Sequence, residues 1–180
     1  MNRQLLILPA IGLLSALAGG LVFQAFQAET EVVSAPSAAK VSQLSFDDLS
    51  FPTIDGQARR LADWPNELLV VNFWAPWCAP CRREIPALID IQQRHGEAVQ
   101  VIGLAFDSAD NVRDFAADYP FNYPLLLVQS DSAAINRYFG NNSGGLPFTV
   151  ILDPSREIVF QHTGEITTDA LDAAIRAATS

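Results

Sequence analysis

The sequence predicts an α/β fold in which a mixed central sheet carries helices on both faces. Two continuous apolar runs, ELLVVNFWA and AVQVIGLAFD, are typical of strands that are buried on both faces. A helical pattern follows each run, and two consecutive strand-like segments precede the last helix. Strands that alternate with helices predict parallel neighbours, and the consecutive strands add an antiparallel pair, so we expect a mixed sheet.

The first part of the domain is expected to be an N-terminal hairpin. The segment FDDLSFPTIDGQARRLADW contains two short strand-like stretches around Asp55-Gly56, which is a hairpin signal. The first buried strand follows, and we expect Trp74 near its end to pack in the core. A helix is predicted over APCRREIPALIDIQQRHG, which stops at Gly96 and contains Pro86, a residue that kinks a helix.

The second half of the domain continues this alternation. After the second buried strand, SADNVRDFAADY predicts a helix capped by Ser108 or Asp110, and YPLLLVQ predicts a short strand. DSAAINRYFG predicts another short helix, which the loop NNSGG follows. PFTVILD and EIVFQHTG predict an antiparallel pair that turns at Pro154-Ser155, and TTDALDAAIRAAT predicts a terminal amphipathic helix.

The composition restricts the possible functions. The chain has 180 residues, of which 49% are apolar, so it is long enough for one packed domain and an appendage. Its formal net charge is −9, and its basic residues are scattered apart from Arg59-Arg60 and Arg82-Arg83. Because an acidic chain without a basic cluster is poorly suited to polyanions, we expect no nucleic-acid partner.

The first 28 residues form a segment of a different kind. Leu5–Phe26 is an apolar run without charged residues. A helix of that length, at about 1.5 Å per residue, crosses a hydrocarbon core of about 30 Å. We therefore predict a membrane anchor over residues 1–28 that contacts the lipid bilayer through residues 5–26. The alternative is a cleaved signal peptide, for which Ala16–Ala18 could serve as the cleavage site.

The charges that flank the apolar run predict its orientation. Arg3 precedes the run, and Glu29 and Glu31 follow it, so the positive-inside rule places the N-terminus in the cytoplasm. This predicts a single-pass protein of the cytoplasmic membrane whose folded part faces the periplasm or extracytoplasmic side. Residues 29–43 are small and polar and contain proline, which favours a flexible tether, and residues 44–180 form the domain.

Cys78 and Cys81 are the only cysteines of the chain, and three interpretations of the pair compete. A structural zinc site needs four ligands, and His95 and His162 follow no ligand spacing. A structural disulfide that closes so short a loop removes little chain entropy and stabilises little. A redox pair explains more, because a helix N-terminus stabilises a thiolate and an exported compartment permits disulfide chemistry. We therefore favour the redox pair and predict neither a metal nor another cofactor.

The stretch VNFWAPWCAPCRREIP resembles the active-site segment of the thioredoxin superfamily, and more narrowly that of the membrane-tethered TlpA/ResA/CcmG-type thiol–disulfide oxidoreductases. GGLPFTVILD is similar to that family's segment around a cis-proline, and DPSREIVFQHTGEIT to its closing hairpin. The resemblance covers about residues 44–180. It implies a thioredoxin-like fold with a helix–strand insertion before the cis-proline, exported disulfide-bearing proteins as substrates, and a membrane protein as electron donor.

The resemblance also implies roles for the residues around the pair. Cys78, nearest the helix N-terminus, is expected to be the nucleophile, and Cys81, one turn into the helix, to resolve the mixed disulfide. Pro147 is expected to follow a cis peptide bond and to lie against the disulfide, while a proline that starts an edge strand is the alternative. The residues expected to contact substrate are Trp77, Pro80 and Leu146.

Two further positions concern proton transfer. In ordinary thioredoxins the strand that enters the site carries a buried acid, but Asn72 holds the matching place and cannot take a proton. Glu84 lies three residues after Cys81, which places both residues on the same face of the helix. In the TlpA/ResA-like group, a glutamate at this place is implicated in proton handling. The alternative for Glu84 is a solvated first-turn residue that interacts with the helix dipole. For Asn72, a hydrogen bond within the site and a cap on a strand both remain open.

Two other functions compete with disulfide exchange. A peroxiredoxin-like peroxidase requires a proline seven residues before its cysteine and a Thr or Ser three residues before it. Val71 and Ala75 occupy those positions before Cys78, and Cys81 does not fit the pattern either. A Cu(I) metallochaperone could use both cysteines and His162. Copper carriers on this fold, however, usually space their cysteines more widely.

The dipeptide between the cysteines indicates the direction of exchange. Ala79-Pro80 contains no histidine that would stabilise the thiolate strongly, and strong oxidants owe their power to a stabilised reduced form. We therefore predict a reductant that opens disulfides in other exported proteins. The family resemblance suggests cytochrome c maturation or a related assembly process as the setting.

Overall fold

The computed structural model describes residues 45–65 and 68–179. The described elements alternate as predicted, and short 3-10 turns flank the first hairpin. The strands are β1 (Ser50–Pro52), β2 (Ala58–Arg60), β3 (Leu68–Trp74), β4 (Val99–Ala105), β5 (Leu125–Leu127), β6 (Phe148–Leu152) and β7 (Ile158–Thr163). The helices are α1 (Ala79–His95), α2 (Ala109–Ala117), α3 (Ser132–Tyr138) and α4 (Thr168–Ala178), and the 3-10 turns are Phe46–Asp48 and Leu61–Asp63.

β3 lies at the centre of a five-stranded mixed sheet with the order β5-β4-β3-β6-β7. β3, β4 and β5 run parallel, whereas β6 is antiparallel to β3 and β7 is antiparallel to β6. This arrangement confirms the predicted sheet. The register places Asn72 opposite Gly103 on one side and Thr149 on the other. Because directly opposed residues share a face, Asn72 and Thr149 point toward the same layer.

Alternate residues of β3 enter two separate hydrophobic layers. Val70 and Trp74 pack in a layer that also contains buried residues of α1, α2 and α4. Val71 and Phe73 pack in a second layer with residues of α3 and β1. Helices therefore cover both faces of the sheet, as predicted, and every residue of β3 is buried.

β1 and β2 form the predicted N-terminal hairpin as a separate two-stranded antiparallel sheet. Its turn contains Gly56 at a φ of 80°, a conformation that glycine adopts without a Cβ clash. An isolated bridge between Thr53 and Leu126 connects the hairpin to β5. The hairpin thus lies along one edge of the main sheet and shields it.

α2 and β5 form the predicted helix–strand insertion. The cap of α2 is Ser108 rather than Asp110, because the Ser108 hydroxyl accepts a hydrogen bond from the Asn111 backbone N–H at 3.2 Å. Phe115 of α2 packs on the Trp74 ring at a centroid distance of 5.5 Å. Trp74 is therefore a core residue, as predicted, and the insertion supplies one of its neighbours.

The predicted anchor and tether, residues 1–28 and 29–43, lie outside the residues that the structure describes. Among the helices of residues 45–65 and 68–179, none is both long and apolar enough to cross a membrane. The anchor, its orientation and the domain boundary at residue 44 stay predictions.

Candidate active site

Cys78 and Cys81 lie at the start of α1 and are joined by a disulfide bond. Cys78 is the N-cap residue, and its Sγ accepts a hydrogen bond from the Cys81 backbone N–H at 3.3 Å. Cys78 retains 5% exposure, whereas Cys81 has none. Cys78 is therefore the more accessible of the two cysteines, and it lies at the positive end of the helix dipole, where a thiolate is stabilised.

Two prolines lie within α1. Pro80 is in the first turn, where a backbone N–H has no intrahelical partner in any case. Pro86 is inside the helix, as predicted, and it cannot donate to the carbonyl of Arg82. Both residues are therefore compatible with the helix, and the predicted contact of Pro80 with substrate stays a prediction.

The Leu146–Pro147 peptide bond is cis, as predicted. Pro147 is buried and directly precedes β6. Its carbonyl oxygen accepts a hydrogen bond from the Gly164 backbone N–H at 2.8 Å, which fastens the loop before β6 to the end of β7. The contact of Pro147 with the sulfurs and its catalytic role stay predictions.

A groove of about 580 Å³ runs between the two segments that flank the disulfide and the cis-proline. Trp77, the residue before Cys78, and Leu146, the residue before Pro147, both line it. The Trp77 side chain is 68% exposed, which is unusual for so large an apolar group. The structure thus brings together two of the three residues predicted to contact substrate, and Pro80 does not line this groove.

Glu84 lies on the buried side of α1, with only 1% of its surface exposed. Its Oε1 accepts a hydrogen bond from Asn72 Nδ2 at 2.7 Å, and its Oε2 accepts one from the Ile166 backbone N–H at 3.0 Å. The alternative interpretation of a solvated first-turn residue is therefore wrong. Both carboxyl oxygens have a donor, which is what a buried carboxylate needs in order to persist.

Burial raises the pKa of Glu84 from its ordinary value of 4.5 to about 7. The loss of solvation is the main cause, and the charge of Glu165 adds to it, while the hydrogen bonds from Ile166 and Asn72 act in the opposite direction. A carboxyl group with such a pKa gains and loses a proton readily at neutral pH. Because Glu84 follows Cys81 by three residues on α1, this carboxyl group lies on the helix face that holds the buried sulfur.

Asn72 forms hydrogen bonds within the site, which decides between its two open alternatives. Besides binding Glu84, its Nδ2 donates to Thr149 Oγ1 at 3.0 Å, and all three side chains are buried. Asn72 and Thr149 are opposed across β3 and β6. The register of the sheet therefore determines the position of Asn72 and of the hydrogen bond that it donates to Glu84.

Arg83, on the exposed side of α1, binds the loop that also contacts Glu84. Its guanidinium forms an ion pair with Glu165 at 2.7 Å, and Glu165 directly precedes Ile166, whose N–H binds Glu84. Arg83 and Glu84 are adjacent on α1, so one exposed ion pair and one buried hydrogen bond connect α1 to the loop between β7 and α4. This loop is consequently part of the site, although it is far from the cysteines in sequence.

Thr149 and Ile166 belong to the site although the sequence analysis assigned neither of them a role. Thr149 stands two residues after Pro147, but only the pairing of β6 with β3 shows that it faces Asn72. Ile166 contributes a backbone N–H, so its side chain carries no signal at all. Their roles follow from strand register and loop path, which a single sequence does not reveal.

His162 does not join the cysteines in a metal site. It lies on β7, where its Nε2 is 3.2 Å from the carbonyl oxygen of Glu165. Within the part of the chain that the structure describes, no group of three His, Cys, Asp or Glu side chains is arranged to hold a metal ion. The Cu(I) alternative, which combines His162 with Cys78 and Cys81, therefore has no ligand cluster to support it there.

Replacement of Asn72 should move the titration of Glu84. In Asn72→Leu the carboxyl loses a charge-assisted hydrogen bond, so its pKa should rise by about one to two units above the wild-type value. Thr149→Val is the matched control, because it leaves the bond between Asn72 and Glu84 in place and should change the pKa little. Carbon-13 NMR of the glutamate side-chain carboxyls of the oxidised protein measures both values. An unchanged Glu84 titration in Asn72→Leu would show that Asn72 does not stabilise the carboxylate.

The fold and the cysteine pair define the class of protein. A thioredoxin-like sheet with an oxidised Cys78–Cys81 pair at the start of a helix, near a cis-proline loop, is the arrangement of a thiol–disulfide oxidoreductase. The chain belongs to the AhpC/TSA family, whose family model matches residues 43–161. Family membership alone supplies no peroxidase site, because Val71 and Ala75 still hold the places where the peroxidase pattern wants proline and Thr or Ser.

Individual relatives agree with this class. The chain is 35% identical over 124 residues to thioredoxin-like protein YneN of Bacillus subtilis, and this alignment covers 67% of this chain and 70% of the relative. It is 28% identical over 171 residues to thiol-disulfide oxidoreductase ResA of Geobacillus thermodenitrificans, and this alignment covers 92% of this chain and 91% of the relative.

Solved structures of similar proteins share the fold. A thioredoxin-related protein from Neisseria meningitidis serogroup B superposes with a TM-score of 0.67 at 30% identity, covering 72% of this chain and 98% of the other. A putative thiol:disulfide interchange protein DsbE from Chlorobium tepidum gives a TM-score of 0.64 at 25% identity, covering 73% and 93%. The chain is therefore a thioredoxin-like thiol–disulfide oxidoreductase that resembles the ResA and DsbE proteins.

Proposed function

We propose that this chain reduces disulfide bonds in exported proteins from an extracytoplasmic position. The observation that carries the proposal is the asymmetry of the pair: Cys78 is slightly accessible beside the exposed Trp77, and Cys81 behind it is fully buried. Such a pair lets one sulfur attack a partner while the other resolves the intermediate. The relatives named as a thiol-disulfide oxidoreductase and as a thiol:disulfide interchange protein support this function.

The exchange requires two steps and no cofactor. In the reduced chain the Cys78 thiolate attacks one sulfur of the substrate disulfide, so that an S–S bond to Cys78 forms and the other substrate sulfur leaves as a thiolate. The Cys81 thiolate then attacks the Cys78 sulfur, which forms the Cys78–Cys81 disulfide and releases the first substrate sulfur. Two electrons pass to the substrate, whose two thiolates take up two protons.

Glu84 has the properties required to accept the proton that Cys81 loses before the second step. Cys81 is buried, so its proton needs an acceptor inside the protein. The pKa of Glu84, at about 7, allows the carboxylate to take a proton at neutral pH. Asn72 and the Ile166 N–H hold both carboxyl oxygens in place. In this proposal Pro147 borders the disulfide and, with Trp77, shapes the approach of the substrate.

The proposed location and partners follow the predicted layout of the whole chain. Residues 5–26 anchor the protein in the cytoplasmic membrane, and residues 29–43 tether the domain outside it. Its substrates are disulfide-bearing exported proteins, such as cytochrome c precursors before haem attachment, and a membrane protein supplies electrons to the Cys78–Cys81 disulfide. The alignment with ResA, which covers 92% of this chain, supports a shared layout that includes the N-terminal segment.

A redox titration tests the direction of exchange. We expect a midpoint potential nearer to that of thioredoxin, about −270 mV, than to that of the strong oxidant DsbA, about −120 mV. The reason is that Ala79-Pro80 offers no side chain that would stabilise the Cys78 thiolate beyond the effect of the helix terminus. The full-length protein is equilibrated in dithiothreitol and glutathione redox buffers. A midpoint above about −160 mV would contradict a reducing function.

A further inference from the structure

The groove beside the disulfide is lined by both apolar side chains and polar groups. Trp77, Phe106 and Leu146 form the apolar part. The polar part comes from α3, beginning at Ser132, and from the loop after it, which includes Asn142. Its volume of about 580 Å³ is larger than a small thiol requires and is open to solvent at Trp77. The volume fits a segment of polypeptide, and Trp77 on the groove lining is the residue next to Cys78 in the chain.

Arg137 is the only charged side chain among the described residues that line this groove. It is exposed on the last turn of α3. Five other arginines of the described residues form ion pairs with aspartate or glutamate, whereas no ion pair or hydrogen bond of the Arg137 guanidinium occurs within that part of the chain. A cation without an internal partner on the wall of a groove is available to a bound molecule, even though the chain as a whole is acidic.

The wall that carries Arg137 is held in position by a buried side chain. Asn141 is 2% exposed, and its Nδ2 donates to Asn136 Oδ1 at 2.7 Å and to the Gly145 carbonyl oxygen at 3.0 Å. Asn136 belongs to the same helix as Arg137, and Gly145 is next to Leu146. The helix turn that carries Arg137 is thus fixed relative to the loop that contains the cis peptide bond, and both border the groove that Trp77 also lines.

We propose that Arg137 selects the substrate: the groove receives an extended polypeptide segment of a disulfide-bearing protein, and an acidic side chain of that segment pairs with the Arg137 guanidinium. The proposal rests on the proposed function, because it concerns the substrate of the same cysteine pair. The apolar lining residues accept the neighbouring side chains of the segment, and Arg137 distinguishes acidic from neutral or basic sequences. A cation in the last turn of a helix also interacts favourably with the helix dipole. The experiment separates that stabilising role of Arg137 from substrate selection.

The experiment compares synthetic peptides that contain one intramolecular disulfide and differ at a single position near the first cysteine. Glutamate, glutamine or lysine is placed at each of the four positions on either side of that cysteine. We expect the reduced wild-type protein to reduce one glutamate peptide about two- to fivefold faster, in kcat/KM, than its glutamine counterpart, the range that a solvent-exposed ion pair supplies. The preference should shrink at high salt concentration, because salt screens exposed charges.

Three variants identify the source of the preference. Arg137→Gln should remove it, Arg137→Glu should reverse it in favour of the lysine peptide, and Arg137→Lys should retain part of it. Arg59→Glu is the matched control, because it changes the net charge equally but lies on β2 and does not line the groove. It should keep the wild-type preference. Reduction of each oxidised variant by dithiothreitol should proceed at the wild-type rate, since that small thiol needs no contact with Arg137.

The outcomes also separate this inference from the proposed function. If the wild-type protein reduces the glutamate, glutamine and lysine peptides equally fast at every position, Arg137 does not select substrate, although the chain remains a disulfide reductant. The same conclusion follows if Arg59→Glu alters the preference as strongly as Arg137→Glu, because the effect would then come from net charge. If none of the peptides is reduced, the proposed function fails and the inference fails with it.

Discussion

The Cys81→Ser variant should accumulate as a mixed disulfide between Cys78 and its substrate, whereas the Cys78→Ser variant should capture nothing. Cys78 is the N-cap of α1 and retains 5% exposure, while Cys81 is fully buried one turn into the helix. We expect the more accessible cysteine, which lies at the positive end of the helix dipole, to be the one that attacks. Without Cys81 the second step has no nucleophile, so the intermediate persists until an external thiol opens it.

Both single variants should lose disulfide-reducing turnover down to the uncatalysed rate, because each removes one of the two sulfurs that the exchange needs. The capture of a substrate as a mixed disulfide distinguishes the two variants. Full-length protein carrying Cys81→Ser is purified without reductant, separated under non-reducing conditions, and the protein attached to Cys78 is identified by mass spectrometry. The double variant Cys78→Ser/Cys81→Ser is the control for non-covalent association, and it should bring down no substrate that reductant releases.

Alkylation of the reduced wild-type protein provides a second measurement of the same assignment. Near neutral pH, Cys78 should be labelled well before Cys81, both because it is reachable and because its thiolate is stabilised. Faster labelling of Cys81, or a mixed disulfide trapped only in the Cys78→Ser variant, would reverse the two roles. The pair would remain redox-active in that case, but the asymmetry of burial would no longer explain how it works.

The long elements were predictable from the sequence because local pattern and tertiary environment agree. β3 is an uninterrupted apolar run and is buried along its whole length, and α1 ends at His95, just before Gly96. The hairpin was predictable from Asp55-Gly56, whose glycine takes the positive φ that the turn requires. In each of these cases the residues that form the element also contain its signal.

The carboxyl network of the site was predictable only in part, because its contacts depend on distant pairings. Glu84 was a candidate from its spacing to Cys81, but a helix periodicity does not reveal whether one position faces the sheet or the solvent at a helix start. Its burial depends on α1 packing over Asn72, and its second hydrogen bond comes from a loop more than eighty residues away in sequence. Strand register and loop path decide such contacts, and neither has a local signature.

Glu84 should make the unfolding free energy of the oxidised protein fall as the pH rises toward 7. The folded-state pKa, about 7, is above the ordinary value of 4.5, so between these values the folded protein holds a proton that the unfolded chain has lost. Folding is therefore favoured by protonation, and the unfolding free energy should decrease by about 1.4 kcal/mol for each pH unit from 4.5 to 7, or about 3 kcal/mol in all. Above pH 7 both states are ionised and the contribution levels off.

The variant Glu84→Gln should remove this slope. Glutamine keeps the shape of the side chain but does not titrate, so the difference in unfolding free energy between wild type and Glu84→Gln should change across the window and then become constant. Its amide also places an N–H group opposite the donor of either Asn72 or Ile166, which costs about 1–3 kcal/mol at every pH. The slope, rather than the offset, is therefore the quantity that reports the pKa of Glu84.

Urea unfolding of the oxidised protein from pH 5 to pH 8 measures the slope. In the oxidised state the cysteines do not titrate. Tyr123, whose pKa is raised by burial and by the charge of Glu84, stays neutral in this range. The pKa values of Asp63 and Asp153 are lowered by their hydrogen bonds, so these acids contribute only at lower pH. Glu157→Gln is the matched control, because it makes the same substitution at an exposed residue outside the site.

The same carboxyl should act on the cysteines once they are reduced. A negative charge on Glu84 disfavours a second negative charge on the same face of α1, so Glu84→Gln should shift the absorbance of the thiolates to lower pH. We expect Cys78, Cys81 and Glu84 to titrate as a coupled group, so that the measured midpoints belong to all three together. A stability difference between wild type and Glu84→Gln that is flat from pH 5 to 8 would mean that Glu84 is ionised throughout that range. Thiolate absorbance that does not move would mean that the Glu84 charge does not act on the sulfurs. The buried carboxyl would then only connect α1 to the loop before α4, and the proton from Cys81 would need another acceptor.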